Sequence, residues 1–276
     1  MIHEFKTYLV SIKGCSENTA ESYGKDLRTF VAYIKQHKTD ARWSTITRDD
    51  LDEYIIYQGS RGLKATTTNR HLSAISSLYD YMKRQGMDVE NPARYESRRK
   101  QAETIVNTIP LEDLKKAIAQ SDGVIKVIIE TLLYTGIRLQ ELLDIRKQDL
   151  DSRNNSIRIH GKGNKQRIVY TTADNMTHLQ EYAKTMNQSQ RLFYTWSQRD
   201  VRTAVYETLR PISKARQLSP HAIRHTFATT MAQAGTNATT LMKMMGHTNL
   251  KTTQKYIDLG QQRTAEAYMN YQNVIA

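Results

Sequence analysis

Four short stretches in the second half of the sequence carry side chains suited to handling a phosphodiester. The first is Thr135-Gly136-Ile137-Arg138-Leu139-Gln140-Glu141. It reads as a helix that stops at Gly136, followed by a helix whose first turn contains Arg138. A guanidinium there would join the N–H groups of a helix start in holding an anion. Taken alone, such an arginine is more often a solvated surface residue. The second stretch is Ser219-Pro220-His221-Ala222-Ile223-Arg224-His225, with Ser219 suited to the N-cap and Pro220 to the first helical position. His221 and Arg224 then lie three apart on one face, and Ile223, Phe227, Met231 and Ala234 form the opposite, buried stripe. His225 reads as a packing or hydrogen-bonding histidine. In the third stretch a helix stop at Gly246 is followed at once by His247, and nine residues later comes Tyr256. The chain has 16 tyrosines, so only its neighbours in this set single out Tyr256. The fourth stretch, between the first two, is the basic loop Gly161-Lys162-Gly163-Asn164-Lys165-Gln166.

These residue types together describe a metal-free attack on phosphorus. Two guanidiniums can neutralise the charge that builds on the non-bridging oxygens. A tyrosine hydroxyl can attack, and the resulting phosphotyrosine ester keeps the energy needed for rejoining. The expelled 5′ oxygen needs a proton, which a lysine on the basic loop can supply; Lys162 and Lys165 lie there, and Arg167 follows on the same hairpin. No His-Glu-x-x-His, cysteine pair or acidic cluster accompanies them, so no metal and no cofactor is expected.

Such groups need rigid elements behind them. Ser156 to His160 alternates in polarity, and Arg167-Ile168-Val169-Tyr170 is β-branched and aromatic, so the basic loop is expected at the tip of a β-hairpin. Leu111 to Ala119 and Ile125 to Tyr134 have helical spacing, and Gly235, Gly246 and Gly260 read as helix stops. The first hundred residues read as helices alone. Asn18 with Glu21 and Thr47 with Asp50 stand at capping-box spacing, and Leu72, Ile75, Leu78, Tyr79 and Met82 form a buried stripe ending before Gly86. Around Asn91-Pro92 the pattern breaks, and Arg98 to Glu103 is polar with no apolar face. The expected division is a helical domain over 1–95, a linker over 96–108, and a second domain over 109–276. The fold class is mainly α with a small β-hairpin or three-stranded sheet in the second domain.

Composition sets the partner class. The chain of 276 residues carries a net charge of +12. Residues 109–276 hold 23 basic against 14 acidic side chains, whereas residues 1–108 hold 17 against 14. That bias points to a polyanion, and nucleic acid is the commonest one. No stretch resembles a membrane span or a signal peptide, so a cytoplasmic location is expected. Cys15 is the single cysteine and is read as inert.

The order Arg138, Glu141, Lys162, His221-x-x-Arg224, His247, Tyr256 resembles the tyrosine recombinase family of phage integrases and Xer-type enzymes. The wording of the boxes is similar too: Thr-Gly-Ile-Arg-Leu-Gln-Glu-Leu, Gly-Lys-Gly-Asn-Lys-Gln-Arg, His-Ala-Ile-Arg-His-Thr-Phe-Ala-Thr and Met-Gly-His-x-x-x-x-Thr-Thr-x-x-Tyr. The resemblance implies a two-domain, C-shaped clamp on double-stranded DNA, with an N-terminal core-binding, SAM-like domain and a C-terminal catalytic domain. It implies that Tyr256 is the nucleophile of a 3′-phosphotyrosine intermediate. Arg138 and Arg224 would clamp the scissile phosphate, and Lys162 would protonate the 5′ leaving oxygen. His221 would assist proton transfer at the tyrosine, His247 would bond a phosphate oxygen, and Glu141 would orient the site. It also implies self-association to a tetramer on paired sites, with a tail after Tyr256 docking on a neighbour. The competing readings are a type IB-like nicking-closing topoisomerase and a non-cutting DNA-binding protein on the same fold.

Overall fold

The computed structural model of the protein describes residues 1–94, 107–161, 166–184, 186–247, 253, 254 and 256. The chain divides into two compact units, Met1–Thr104 and Ile105–Ala276. The expected linker over 96–108 falls almost wholly outside the described residues.

The first unit is helical: α1 (Ile2–Ser11), α2 (Glu17–His37), α3 (Arg48–Ser60) and α4 (Ala65–Arg84). Thr47 and Asp50 form the reciprocal capping box at the start of α3 that their spacing predicts. The start of α2 differs from expectation, since its cap is Ser16, which accepts the N–H of Thr19, and Asn18 lies inside the helix. Gly14 turns the chain with a φ of 64°, so Ser16 is already in position to cap and the helix begins two residues early. The stripe from Leu72 to Met82 on α4 is buried against Phe5, Leu27, Phe30 and Leu51. One polar network crosses this core. Asp26 accepts two bonds from the Arg70 guanidinium at 2.7 and 2.8 Å and pairs with His71 at 3.0 Å, and the far nitrogen of His71 meets the Tyr54 hydroxyl at 2.7 Å. Burial works to raise the Asp26 pKa, but the bonds from His71 and Arg70 outweigh it and hold the carboxyl below its ordinary value.

The second unit contains α5 (Leu111–Gln120), α6 (Gly123–Thr135), α7 (Leu139–Asp144), β1 (Leu150–Asp151), β2 (Ser156–His160), β3 (Gln166–Tyr170), α8 (Ala173–Tyr182), α9 (Gln198–Leu209), α10 (Pro220–Gln233) and α11 (Ala238–Met245). The strands form one antiparallel sheet in the order β1-β2-β3. Ile157 pairs with Val169, and Ile159 with Arg167. Alternation turns Ile157, Ile159 and Val169 inward, and by the same parity Arg167 as well. An arginine on the core face of a strand requires a partner for its charge. Helix α6 is apolar almost all round and packs against α8, α9 and α10. Among the described residues, no helix is long and apolar enough to cross a membrane.

Two helix ends matter for the site. Helix α6 stops at Gly136, whose φ is 61°, and a Cβ there would run into the Phe227 ring of α10. Helix α11 stops at Gly246, also at φ 61°. Gly136→Ala should therefore combine left-handed strain with overpacking and lower stability by about 2–4 kcal/mol. Thermal or urea unfolding checks this; a loss below about 1 kcal/mol would mean that the Phe227 ring yields without cost.

Candidate active site

The site is assembled where the end of α11 meets the starts of α7 and α10. Helix α11 closes with a Schellman motif: the Gly246 N–H donates to the Lys243 carbonyl and the His247 N–H to the Met242 carbonyl. The next three carbonyls, at the negative end of the helix, each accept from a different arginine. Arg167 Nε donates to Met244 at 3.0 Å, Arg224 Nη2 to Met245 at 2.6 Å, and Arg138 Nη2 to Gly246 at 2.6 Å. Gly246 is required twice, for its positive φ and because a Cβ would stand 2.7 Å from Arg167 Nη1.

Glu141 supplies the counter-charge. Its carboxylate is buried, takes a two-pronged pair from Arg167 at 2.9 and 2.7 Å, and accepts from Arg138 through Nη1 at 2.9 Å and the backbone N–H at 2.8 Å. Burial pushes its pKa up, yet the Arg167 bonds, the Arg138 N–H and the two positive charges more than compensate, leaving it below the ordinary value. Arg138 is thus the N-cap of the six-residue α7 rather than part of its first turn, and the capping carboxylate of Glu141 bonds its N–H. The expected anion seat of helix N–H groups at this point is replaced by the guanidinium itself, which is 44% exposed.

Arg224 is far less accessible than a solvated face would make it. It is 3% exposed, and besides Met245 it bonds the Gly136 carbonyl at the end of α6, so one guanidinium links two helix ends. Burial, and next the charge of Arg138, pull its pKa down to about 10, which still leaves it charged at neutral pH. Arg224 Nη2 also lies 3.0 Å from His247 Nε2, whose Nδ1 is 2.9 Å from the Thr253 hydroxyl. A guanidinium can only donate, so Nε2 accepts and the His247 proton sits on Nδ1.

Tyr256 is 1% exposed, within a small core of Phe227, Ala228, Ala232, Leu241 and Met245. Its hydroxyl is hydrogen-bonded to His225 Nδ1. Burial raises its pKa to about 12, against the lowering pull of Arg224. Ser219 caps α10 and Pro220 opens it, as expected. The buried side of α10, however, includes Arg224, His225 and Ala232, and Ala234 is exposed. His221, one turn before His225, is exposed and packs its ring edge-on at 4.2 Å from the His225 ring.

The structure thus brings Arg138, Glu141, Arg224 and His247 into one bonded cluster, with Tyr256 beside it and His221 one ring further on. Lys162 and Lys165 lie outside the described residues. Two participants differ from the sequence reading. Arg167, weighed as a rival proton donor to Lys162, is the ion partner of Glu141; its inward parity on β3 was the signal. The Tyr256 hydroxyl bonds His225, for which spacing gave only the general sense of a bonded histidine.

Glu141→Gln should uncouple Arg138 from Arg167 and lower stability by about 3–5 kcal/mol near neutral pH. The folded-state pKa of Glu141 is depressed, so its contribution is present above the unfolded value and is lost as pH falls through the folded one. Unfolding measured from neutral to acid pH should show the gap between wild type and variant narrowing below about pH 4.5. A gap that stays constant would show that the carboxylate charge does not hold the cluster.

The phage integrase family profile matches residues 98–263, and the N-terminal SAM-like domain of phage integrases matches residues 2–86. Among curated relatives, tyrosine recombinase XerD of Oceanobacillus iheyensis is 25% identical, covering 98% of this chain and 97% of its own. Tyrosine recombinase XerC of Staphylococcus aureus is 28% identical, covering 98% and 96%. In structure, the chain is similar to XerH site-specific recombinase bound to a palindromic difH substrate in a post-cleavage complex, with a TM-score of 0.78, 20% identity, and coverage of 99% of this chain and 85% of that one. It is also similar to the Tn1549 transposon integrase in complex with transposon right-end DNA, with a TM-score of 0.72, 18% identity, and coverage of 97% and 99%. With its second unit matched by one profile and most of its first unit by the other, the chain belongs to the phage integrase family.

Proposed function

We propose that this chain is a site-specific tyrosine recombinase that cuts and rejoins double-stranded DNA through a 3′-phosphotyrosine intermediate at Tyr256. The observation that carries the reading is the bonded cluster of Arg138, Arg224 and His247 next to Tyr256, gathered from separate stretches of sequence. Its relatives are named tyrosine recombinases, and structural neighbours are recombinases in complex with DNA, which favours recombination over a topoisomerase or a non-cutting protein.

The chemistry follows from charge. A phosphodiester seated on the exposed side of Arg138 meets two guanidiniums already oriented, that of Arg224 buried, so its transition-state charge is neutralised with little reorganisation. His247 donates to a phosphate oxygen once Nε2 exchanges Arg224 for the substrate and takes up a proton, as the imidazolium or the other tautomer. Tyr256 attacks phosphorus, and Lys162, by its place in the family pattern, gives its proton to the departing 5′ oxygen, with His221 assisting at the tyrosine. Glu141 orients Arg138 and pairs with Arg167. Strand exchange needs two duplexes, so the working assembly is a tetramer on paired sites. The basic excess of the second unit supplies the salt-dependent grip on the DNA backbone.

Tyr256→Phe should leave DNA binding intact and abolish the covalent adduct. Lys162→Ala should slow cleavage by about a hundredfold or more, and a substrate with sulfur at the bridging 5′ position, whose leaving group needs no proton, should restore it. Trapping of the adduct on a nicked substrate reads both. Adduct formation by Tyr256→Phe would overturn the nucleophile, and failure of sulfur to rescue Lys162→Ala would overturn the acid.

A further inference from the structure

In the first unit, the exposed side chain of Arg70 is held in one direction by a buried carboxylate. Its guanidinium donates through Nε and Nη2 to the two oxygens of Asp26 at 2.7 and 2.8 Å, across 44 positions of sequence. The Arg70 side chain is 48% exposed and that of Asp26 only 4%. Asp26 is braced from behind by His71 at 3.0 Å, and His71 by the Tyr54 hydroxyl at 2.7 Å, with both rings buried. Burial opposes the charge on a carboxylate, so such a pair adds little stability over an apolar contact. What it does secure is orientation, because two parallel bonds fix the guanidinium plane. Both bonds to Asp26 lie on the Nε–Nη2 edge of the fork, and the Nη1–Nη2 edge presents a second pair of parallel N–H groups on the other side. Arg42 grips Asp40 through the same two nitrogens, but there both side chains are exposed and two residues apart, which makes a local contact only.

Arg70 stands on the side of α4 away from the core. Thr66, Arg70, Ser73 and Ser77 follow one another at helical spacing, opposite the buried stripe from Leu72 to Met82. The neighbours of Arg70 in that row are short hydroxyl side chains, so the guanidinium reaches beyond them. A polar helix face carrying one long, rigid donor suits the major groove, which admits a helix and is read through donors and acceptors on the base edges.

We propose that Arg70 is a specificity-determining residue of this chain: its Nη1–Nη2 edge donates two hydrogen bonds to O6 and N7 of one guanine in the DNA target. A backbone phosphate offers a similar pair of oxygens, but the charge balance decides against it. Asp26 offsets the positive charge of Arg70, which is what a phosphate contact draws on, and leaves the fixed geometry on which base reading depends. The inference rests on the proposed action at specific sites in double-stranded DNA.

The test is selection of bound duplexes from a randomised pool by the full-length wild type, Arg70→Lys and Arg70→Ala, with thermal unfolding to show that each variant is folded. Wild type should enrich a motif containing a guanine whose preference disappears in both variants while the other positions keep theirs. Lysine keeps the charge without the fork, so Arg70→Lys separates geometry from charge. On the wild-type motif both variants should bind about tenfold weaker or more, and that difference should vanish on a duplex in which the guanine is replaced. A scan of 7-deazaguanine, which lacks the N7 acceptor, through the motif needs no variant: one position should weaken wild-type binding, and Arg70→Ala should be indifferent to it. Weakening of all sequences alike by Arg70→Ala, with a salt slope smaller by about one and little change in Arg70→Lys, would assign Arg70 to a phosphate and overturn the proposal. An unchanged motif and affinity in folded variants would reduce Arg70 to a tie between α2 and α4 and overturn it as well, as would a wild-type motif with no guanine sensitive to the 7-deaza substitution. A wild type that binds DNA but enriches no sequence removes the site-specific reading itself, and this inference with it.

Discussion

Three guanidiniums crowded around one helix end repel one another, and the second unit is organised around the groups that hold them there. The acceptors are three successive carbonyls at the end of α11 and the buried carboxylate of Glu141. The carbonyls are available because the Schellman closure at Gly246 uses the two before them, and their dipoles already point outward with negative ends. Glu141 can ionise under burial only because Arg167 and Arg138 surround it, so carboxylate and guanidiniums stabilise each other's charge. Net positive charge remains, and it is displayed at Arg138, the member most open to solvent. This is a preformed concentration of positive charge.

The same helix ends tie the seat to Tyr256. Arg224 bonds the ends of both α6 and α11, His247 continues directly from the Gly246 stop, and Thr253 bonds His247 three residues before Tyr256. Tyr256 in turn packs on Phe227, which presses on Gly136. Movement at the tyrosine is therefore coupled by contact to the arginine clamp. The Tyr256 hydroxyl is kept from solvent and hydrogen-bonded to His225.

Much of this was legible in the sequence, and what was not has a consistent physical reason. Local signals gave the capping box of Thr47 and Asp50, the Ser219-Pro220 start of α10, the hairpin, and the stops at Gly136 and Gly246, because each depends on residues a few positions apart. Competition between nearby caps misplaced the start of α2, where Ser16 pre-empts Asn18. The membership of the set Arg138, Glu141, Arg224, His247 and Tyr256 was legible from motif order, whereas its bonding was not. Arg138 reaches Gly246 across 108 positions and Arg224 reaches Gly136 across 88, distances over which spacing carries no information. The depth of Arg224 was hidden for a related reason, since a charged residue is normally read as exposed until its partners are known. Arg167 could have been found by strand parity alone, and His225 only by knowing where Tyr256 folds.

The arginine seat is thus preformed, held by carbonyls and Glu141 with no ligand present. Guanidinium nitrogen NMR of the DNA-free protein tests it most directly, because a guanidinium locked by several acceptors rotates slowly and shows separate Nη signals, whereas a free one averages them. Separate, slowly exchanging signals are expected for Arg167 and Arg224, with Arg138 joining them, and those of Arg167 and Arg138 should collapse toward the average in Glu141→Gln. Averaged signals for all three in the wild type, resolving only when DNA is added, would contradict the account.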